Sequence, residues 1–200
     1  MNSTPPIPDT SDPIGFFRQW YDEAIAQETD VPNAMSLATV GKNGRPSSRM
    51  VLLKDVGERG FVFYTNTTSR KSIELAHNNN AALCFHWKSL KRQVRVEGTV
   101  SFVSDADADA YFASRPRQSQ VAAWASRQSE KLHSRETLIN RFNELDERFK
   151  GADVPRLDAW KGYCLKPDFI EFWQDVRDRL HDRLVFRREN GAWISERQYP

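Results

Sequence analysis

Cysteine is scarce in this chain: Cys84 and Cys164 are the only two, they lie far apart, and neither belongs to a CxxC pair. That excludes a disulfide framework and leaves no zinc-site spacing, so both are read as reduced thiols of a cytoplasmic protein. An excess of one charge is also lacking. With 29 Lys plus Arg against 27 Asp plus Glu, the net charge is +2, which withholds the positive field of a general nucleic-acid binder. No apolar run approaches the roughly 18 residues needed to span a bilayer. The stretch from Met1 to Pro13 is rich in Pro, Ser and Thr and has neither a basic start nor an apolar core, so it does not read as a secretory signal. Residues 1–12 are expected to form a flexible arm ahead of one domain at 13–200, with no membrane and no nucleic acid among its partners. GxGxxG, GxSxG and HExxH motifs and clustered acidic ligands are missing too. Their absence removes the dinucleotide-binding, serine-hydrolase and zinc-protease patterns, and no metal is expected.

What the chain has in quantity is aromatic side chains: 12 Phe, 6 Trp and 5 Tyr within a 39% apolar composition. That load suits a core, a flat cofactor pocket or a subunit interface. After the Asp12-Pro13 pair, Phe17, Trp20, Tyr21, Ala24 and Ile25 recur at helical spacing, which predicts an amphipathic helix ending before Pro32. Strands are predicted at Ala34 to Val40, Ser47 to Lys54 and Gly60 to Thr65. A short helix capped by Ser69 follows, and then strands at Ala81 to Trp87 and Gln93 to Val103. In the last of these, Val94, Val96, Val100 and Phe102 alternate with polar residues, so Gln93 and Arg95 share the polar face.

Helical spacing returns in Asp105 to Ser114, Gln118 to Ala125 and Ser134 to Phe149, with Arg115-Pro116 breaking the first from the second. Strands are expected again at Tyr163 to Leu165, Phe169 to Trp173, Leu184 to Arg188 and Ala192 to Ser195, the last pair joined at Glu189-Asn-Gly191. Mostly antiparallel strands with inserted helices predict an α+β fold on a barrel or strongly curled sheet.

Two groups of residues suggest anion binding. Arg49-Met-Val-Leu-Leu-Lys54 is an apolar strand bounded by two cations, and Ser69-Arg70-Lys71 opens a helix, where N–H groups, a hydroxyl and two cations can cradle a phosphate. From Ser-Arg-Lys alone, a solvated basic helix start is the preferred reading. Tyr111 and Arg115 stand at i and i+4 on one helical face, where a phenol and a guanidinium can converge on one anion. Arg179, His181 and Arg183 share a face if that segment is extended.

RMVLLK at 49–54, FVFYTN at 61–66, SRK at 69–71, RQVRVEG at 92–98, SRPRQSQ at 114–120, SRQS at 126–129, IEFWQ at 170–174 and RLHDR at 179–183 resemble, in this order, the pyridoxine/pyridoxamine 5′-phosphate oxidases. The resemblance covers about Asp12 to Pro200. It implies a mainly antiparallel split β-barrel with peripheral and inserted helices, and a homodimer with flavin mononucleotide (FMN) at the subunit interface. It further implies flavin contacts from Arg49, Met50, Val51, Leu52, Leu53, Lys54, Tyr64, Thr65, Arg70, Lys71, Gln93, Gln128, Ser129, Trp173 and Arg183. By the same resemblance Lys54, Tyr111, Arg115 and Ser119 bind the substrate phosphate, and Arg179 and His181 are the catalytic pair at the substrate ring. The implied reaction oxidises pyridoxamine or pyridoxine 5′-phosphate to pyridoxal 5′-phosphate, with dioxygen as acceptor and hydrogen peroxide as product.

The chain departs from that family's pattern in three places. Lys161-Gly-Tyr-Cys164 stands for Gly-Gly-Tyr-Arg, Asp175-Val176 replaces a glycine-containing turn, and the first 13 residues hold no Arg or Tyr. Two alternatives accompany the reading: a paralogous flavin oxidase of the phenazine-biosynthesis kind, where Gly-Tyr-Cys also occurs, and a non-catalytic flavin or pyridoxal-phosphate binding protein.

Overall fold

In the computed structural model, which describes residues 5–200, helix α1 (Pro13–Gln27) fills one mouth of a curled sheet. Asp12 starts it by accepting the Gly15 N–H at 2.9 Å, with Pro13 in the first turn, where a missing N–H is harmless. Its inward face is Phe16, Phe17, Trp20 and Ala24. Ile25, expected on that stripe, is 54% exposed, and Tyr21 packs only at its margin. Phe17 meets Phe61, Phe85 and Trp87 at ring separations of 4.8, 5.0 and 5.9 Å, and Phe16 lies 4.7 Å from Phe172. Each such buried ring contributes roughly 1.5–3 kcal/mol, so these contacts seat α1 on the sheet.

The strands are β1 (Ala34–Val40), β2 (Pro46–Leu52), β3 (Asp55–Gly57), β4 (Gly60–Asn66), β5 (Asn80–Trp87), β6 (Arg92–Phe102), β7 (Trp160–Gln174), β8 (Asp182–Glu189) and β9 (Ala192–Arg197). They run in the order β2-β1-β5-β6-β7-β4-β3, with β8 and β9 branching from β7. Every pairing is antiparallel and the sheet does not close, giving the expected split barrel. Helix α2 (Arg70–His77) joins β4 to β5, and α3 (Asp105–Ser114), α4 (Arg117–Ala125) and α5 (Arg135–Arg148) are inserted between β6 and β7. These inserted helices share a small second core, Phe112, Val121, Phe149, Val154 and Trp160, which fixes α3 and α4 against the start of β7.

Three expectations need correction. The sequence predicts two strands around Pro167, yet β7 is continuous over 15 residues. Its first half pairs with β4 and its second with β8, so Pro167 sits between the two partners and its missing N–H breaks no rung on that side. The register against β6 shifts there, since Glu97 faces Phe169 and Gly98 faces Pro167 with Asp168 of β7 left over, and a Cβ on Gly98 would lie 2.1 Å from the Lys166 carbonyl. The segment holding Arg179 is not extended. Arg177–Arg179 forms a 3-10 turn with Asp178 and Arg179 both at φ +60°, and strand geometry begins only at Asp182. The third concerns the arm: its residues 1–4 lie outside the described residues, and of residues 5–12 Ile7 is packed into the core, 1% exposed with its N–H donating to Asp182 at 2.6 Å. Among the described residues no helix is long and apolar enough to cross a membrane.

Candidate functional site

The start of α2 and the end of β4 bury a cation among neutral partners. Lys71 is 7% exposed, and its Nζ donates to Thr65 Oγ1 at 3.0 Å, Ser69 Oγ at 3.2 Å and Gln128 Oε1 at 3.3 Å. Burial, reinforced by the Arg49 charge, brings its pKa down to about 8. Ser69 occupies the cap position but makes no cap hydrogen bond, because its hydroxyl faces Lys71 and Ser72. The Arg70 N–H donates instead to Ser129 Oγ at 3.3 Å. Thr65, Arg70, Lys71, Gln128 and Ser129 are thus one cluster.

Beside it lies a polar knot that the sequence reading missed. Glu74, 8% exposed in its side chain, accepts from Thr39 at 2.5 Å, Ser47 at 2.6 Å, Arg70 at 2.9 Å and Arg49 at 3.1 Å. Burial alone would raise its pKa, but hydrogen bonds from Ser47, Thr39, Arg70 and Arg49 together outweigh that and bring it to about 2. Arg49 also donates to the Leu37 carbonyl, Thr39 and Ser47, so it is engaged inside the subunit rather than free at a strand end. The available signal was the i,i+4 spacing of Arg70 and Glu74 on α2.

Arg49 to Leu52 lie on β2, which among the described residues pairs only with β1 and forms one edge of the sheet, leaving alternate backbone N–H and C=O groups unpaired by strands. Met50 and Leu52 are 64% and 40% exposed, Val51 is half-buried, and Leu53 is buried and locked to Asn33. Lys54 then turns toward α3, its Nζ 5.7 Å from the Tyr111 ring centroid.

Tyr111 belongs to an aromatic wall. It stacks on Tyr64 at 4.2 Å, Tyr64 stacks on Trp160 at 5.0 Å, and the Arg115 guanidinium lies 5.0 Å over Trp160. A cleft of about 340 Å³ is lined by Tyr64, Thr65, Arg115, Ser119, Gln128 and Trp160, among others. Thr65 and Gln128 therefore bond Lys71 and also line the space holding Arg115 and Ser119. Among the described residues the buried Arg115 Nη1 has no hydrogen-bond partner, and burial pushes the guanidinium below its ordinary range. A buried donor without an acceptor is costly, and a bound anion would supply the acceptor.

The remaining predicted residues gather elsewhere. Gln93 pairs across to Trp173, and Trp173 to Arg183, so the three occupy one row across β6, β7 and β8. His181 lies 4.7 Å from the Trp173 ring. Arg183 is held by buried Glu171 at 2.7 Å and by the Tyr199 carbonyl at 2.7 Å. Arg179 is exposed on the 3-10 turn. Among the described residues no side-chain hydrogen bond or ring contact joins this set to the Lys71–Arg115 set. Trp160 and Trp173, one at each set, are 13 residues apart on β7, roughly 40 Å of strand contour.

The two departures on β7 have local partners. Lys161 pairs with Asp105, which also receives Arg156 at 3.1 Å, tying α3 to the strand. Cys164 is buried with its thiol against the Arg59 carbonyl at 3.2 Å.

Comparison with known proteins matches residues 21–148 to the family described as pyridoxamine 5′-phosphate oxidase, and residues 160–200 to the pyridoxine 5′-phosphate oxidase C-terminal dimerisation region. The pyridoxine/pyridoxamine 5′-phosphate oxidase of Caulobacter vibrioides is 53% identical over 98% of this chain and 88% of its own length. That of Gluconobacter oxydans is 50% identical over the whole of both chains. Among solved structures, PhzG from Burkholderia lata, in complex with tetrahydrophenazine-1-carboxylic acid, superposes with a TM-score of 0.91 at 31% identity, covering 96% of this chain and 94% of that one.

Proposed function

The chain belongs to the pyridoxine/pyridoxamine 5′-phosphate oxidase family, and we propose that it works through two residue clusters that two copies of the chain bring together. It is an FMN-dependent oxidase that converts pyridoxamine or pyridoxine 5′-phosphate to pyridoxal 5′-phosphate, with dioxygen as acceptor and hydrogen peroxide as product. When bound, FMN supplies the hydride acceptor for the carbon that becomes the aldehyde.

The residues present fit that cofactor. Lys71, Arg70 and Ser129 offer two cations and a hydroxyl to its phosphate, Thr65 and Gln128 offer a hydroxyl and an amide, and Arg49 braces the group through Glu74. The exposed β2 edge from Arg49 to Leu52, continuing through Leu53 to Lys54, suits the polar rim of a flat ring. Gln93, Trp173 and Arg183 provide amide, aromatic and guanidinium contacts from the other cluster.

Lys54, Tyr111, Arg115 and Ser119 hold the reactant's phosphate, and the observation that carries this is the buried Arg115 Nη1 with no partner in a cleft it shares with Thr65 and Gln128. Anchoring the far end of the reactant orients the reacting carbon, so remote binding energy serves positioning. Arg179 and His181 then contact the ring. A strand that separates the two sets by its length supports a homodimer: a two-fold axis lays one copy's Trp173 end across its partner's Trp160 end.

The likeness to PhzG keeps a flavin oxidase with another substrate in view. The assembled phosphate group of Lys54, Tyr111, Arg115 and Ser119 favours the B6 phosphates. The test is to purify the protein, record its visible spectrum with and without added FMN, and measure peroxide on adding each B6 phosphate. Yellow protein that releases peroxide is the expected result; yellow protein inert toward both overturns the reading.

A further inference from the structure

Two of the four residues assigned to the reactant's phosphate flank one corner. Only Arg115 and Pro116 separate α3 from α4, and Ser119 lies in the first turn of α4. Such a corner leaves the last carbonyls of the first helix short of donors. A continued helix would fill those of Phe112 and Ala113 from residues 116 and 117, but Pro116 has no N–H and Arg117 opens the next helix. The buried Gln120 takes their place. Its Nε2 donates to the Phe112 carbonyl at 2.9 Å and to the Ala113 carbonyl at 3.1 Å.

An arginine at the end of a helix can turn back and bond that helix's last carbonyls. Arg115 does not. It gives its backbone N–H to the Phe112 carbonyl at 3.2 Å, which with Gln120 takes up both lone pairs of that oxygen. The guanidinium instead lies over the Phe112 and Trp160 rings, 5.4 and 5.0 Å from their centroids, and its buried Nη1 has no partner among the described residues.

We propose that Gln120 is a positioning residue for the phosphate pocket: by occupying the Phe112 and Ala113 carbonyls it denies them to the Arg115 guanidinium, which stays over Trp160 with a donor free for the anion. The same two hydrogen bonds close the corner between Arg115 and Ser119. Without them the carbonyls at the end of α3 are open acceptors, and the cation beside them folds back to fill them. The inference rests on the assignment of Arg115 to the reactant's phosphate.

Steady-state kinetics of the FMN-loaded protein test it. Gln120→Met removes both donors at nearly the same side-chain length, and Gln120→Asn leaves an amide one methylene short of the carbonyls. Each should raise KM for pyridoxamine 5′-phosphate about five- to tenfold, part of the worth of one charge-assisted hydrogen bond. The inhibition constant of unphosphorylated pyridoxamine, which meets only the ring contacts, should stay within about twofold of wild type. Added to Arg115→Met, Gln120→Met should raise KM no more than about twofold further, because the group it positions is already gone. An unchanged KM in both variants, a pyridoxamine inhibition constant that rises in step with KM, full additivity with Arg115→Met, or loss of folded protein in both variants overturns the role of Gln120. An unchanged KM in Arg115→Met alone instead overturns the assignment of Arg115 beneath it, whatever the Gln120 variants do.

Discussion

Glutamine in place of Glu74 removes a negative charge from among Arg49, Arg70, Thr39 and Ser47 while keeping the side chain's shape and one acceptor oxygen. The carboxyl is brought from its ordinary 4.5 to about 2. At about 1.4 kcal/mol per pKa unit, that is on the order of 3 kcal/mol at neutral pH. The Arg70 arm is 67% exposed and screened by solvent, so about 2 kcal/mol is the better figure. For a chain of this size Glu74→Gln should melt about 4–8 °C below wild type in thermal scans of the FMN-free protein at matched concentration. The pH dependence carries the stronger test. A depressed carboxyl contributes fully above its unfolded pKa and loses that contribution as pH falls through the folded one. The gap between the two proteins should therefore be constant from pH 7 to 5 and narrow below about 4.5. Equal melting temperatures at pH 7, or a gap unchanged between pH 5 and 3, would refute the ion-paired account of this knot.

Element type was legible where a hydrophobic period was long and unbroken. The alternation of Val94, Val96 and Val100 placed β6 correctly and put Gln93 on its polar face, where it does align with Trp173 and Arg183. Pro167 misled because a local rule about proline in strands takes no account of a neighbour on one side being exchanged for another midway along. The extended reading of Arg179 to Arg183 failed for a related reason: alternation assigns faces only after strand geometry is granted, and Asp178 and Arg179 adopt left-handed backbone. For the site, Tyr111 and Arg115 followed from helical spacing, but no local signal could bring Trp160, 45 residues beyond Arg115, beneath the guanidinium. Glu74 was hidden differently. Its four partners come from β1, β2 and α2, and only the contact with Arg70 is short enough in sequence to be anticipated.

Two further perturbations separate the two proposed anion pockets. Arg115→Met keeps the side chain's packing over Phe112 and Trp160 but removes the unpartnered Nη1. KM for pyridoxamine 5′-phosphate should rise about 10- to 100-fold, with FMN retained and thermal stability equal or higher, since an unpaired buried donor is lost; an unchanged KM would remove Arg115 from the phosphate site. Lys71 tests the other pocket through its titration. Its pKa lies at about 8 in the FMN-free protein because burial penalises the ammonium and Arg49 adds repulsion. Thr65, Ser69 and Gln128 are neutral, so their oxygens offset the penalty only in part and bring no countercharge. On the proposed assignment the FMN phosphate dianion supplies that countercharge, so binding above pH 8 must take up a proton. FMN affinity, followed by quenching of flavin fluorescence, should be flat between pH 7 and 7.5 and weaken toward tenfold per pH unit above 8. Lys71→Met should bind FMN about 10- to 100-fold more weakly at pH 7, the worth of a charge-assisted hydrogen bond, and lose the alkaline slope. Wild-type affinity that stays level from pH 7.5 to 9.5 would mean that Lys71 does not pair with the phosphate, whatever the variant does.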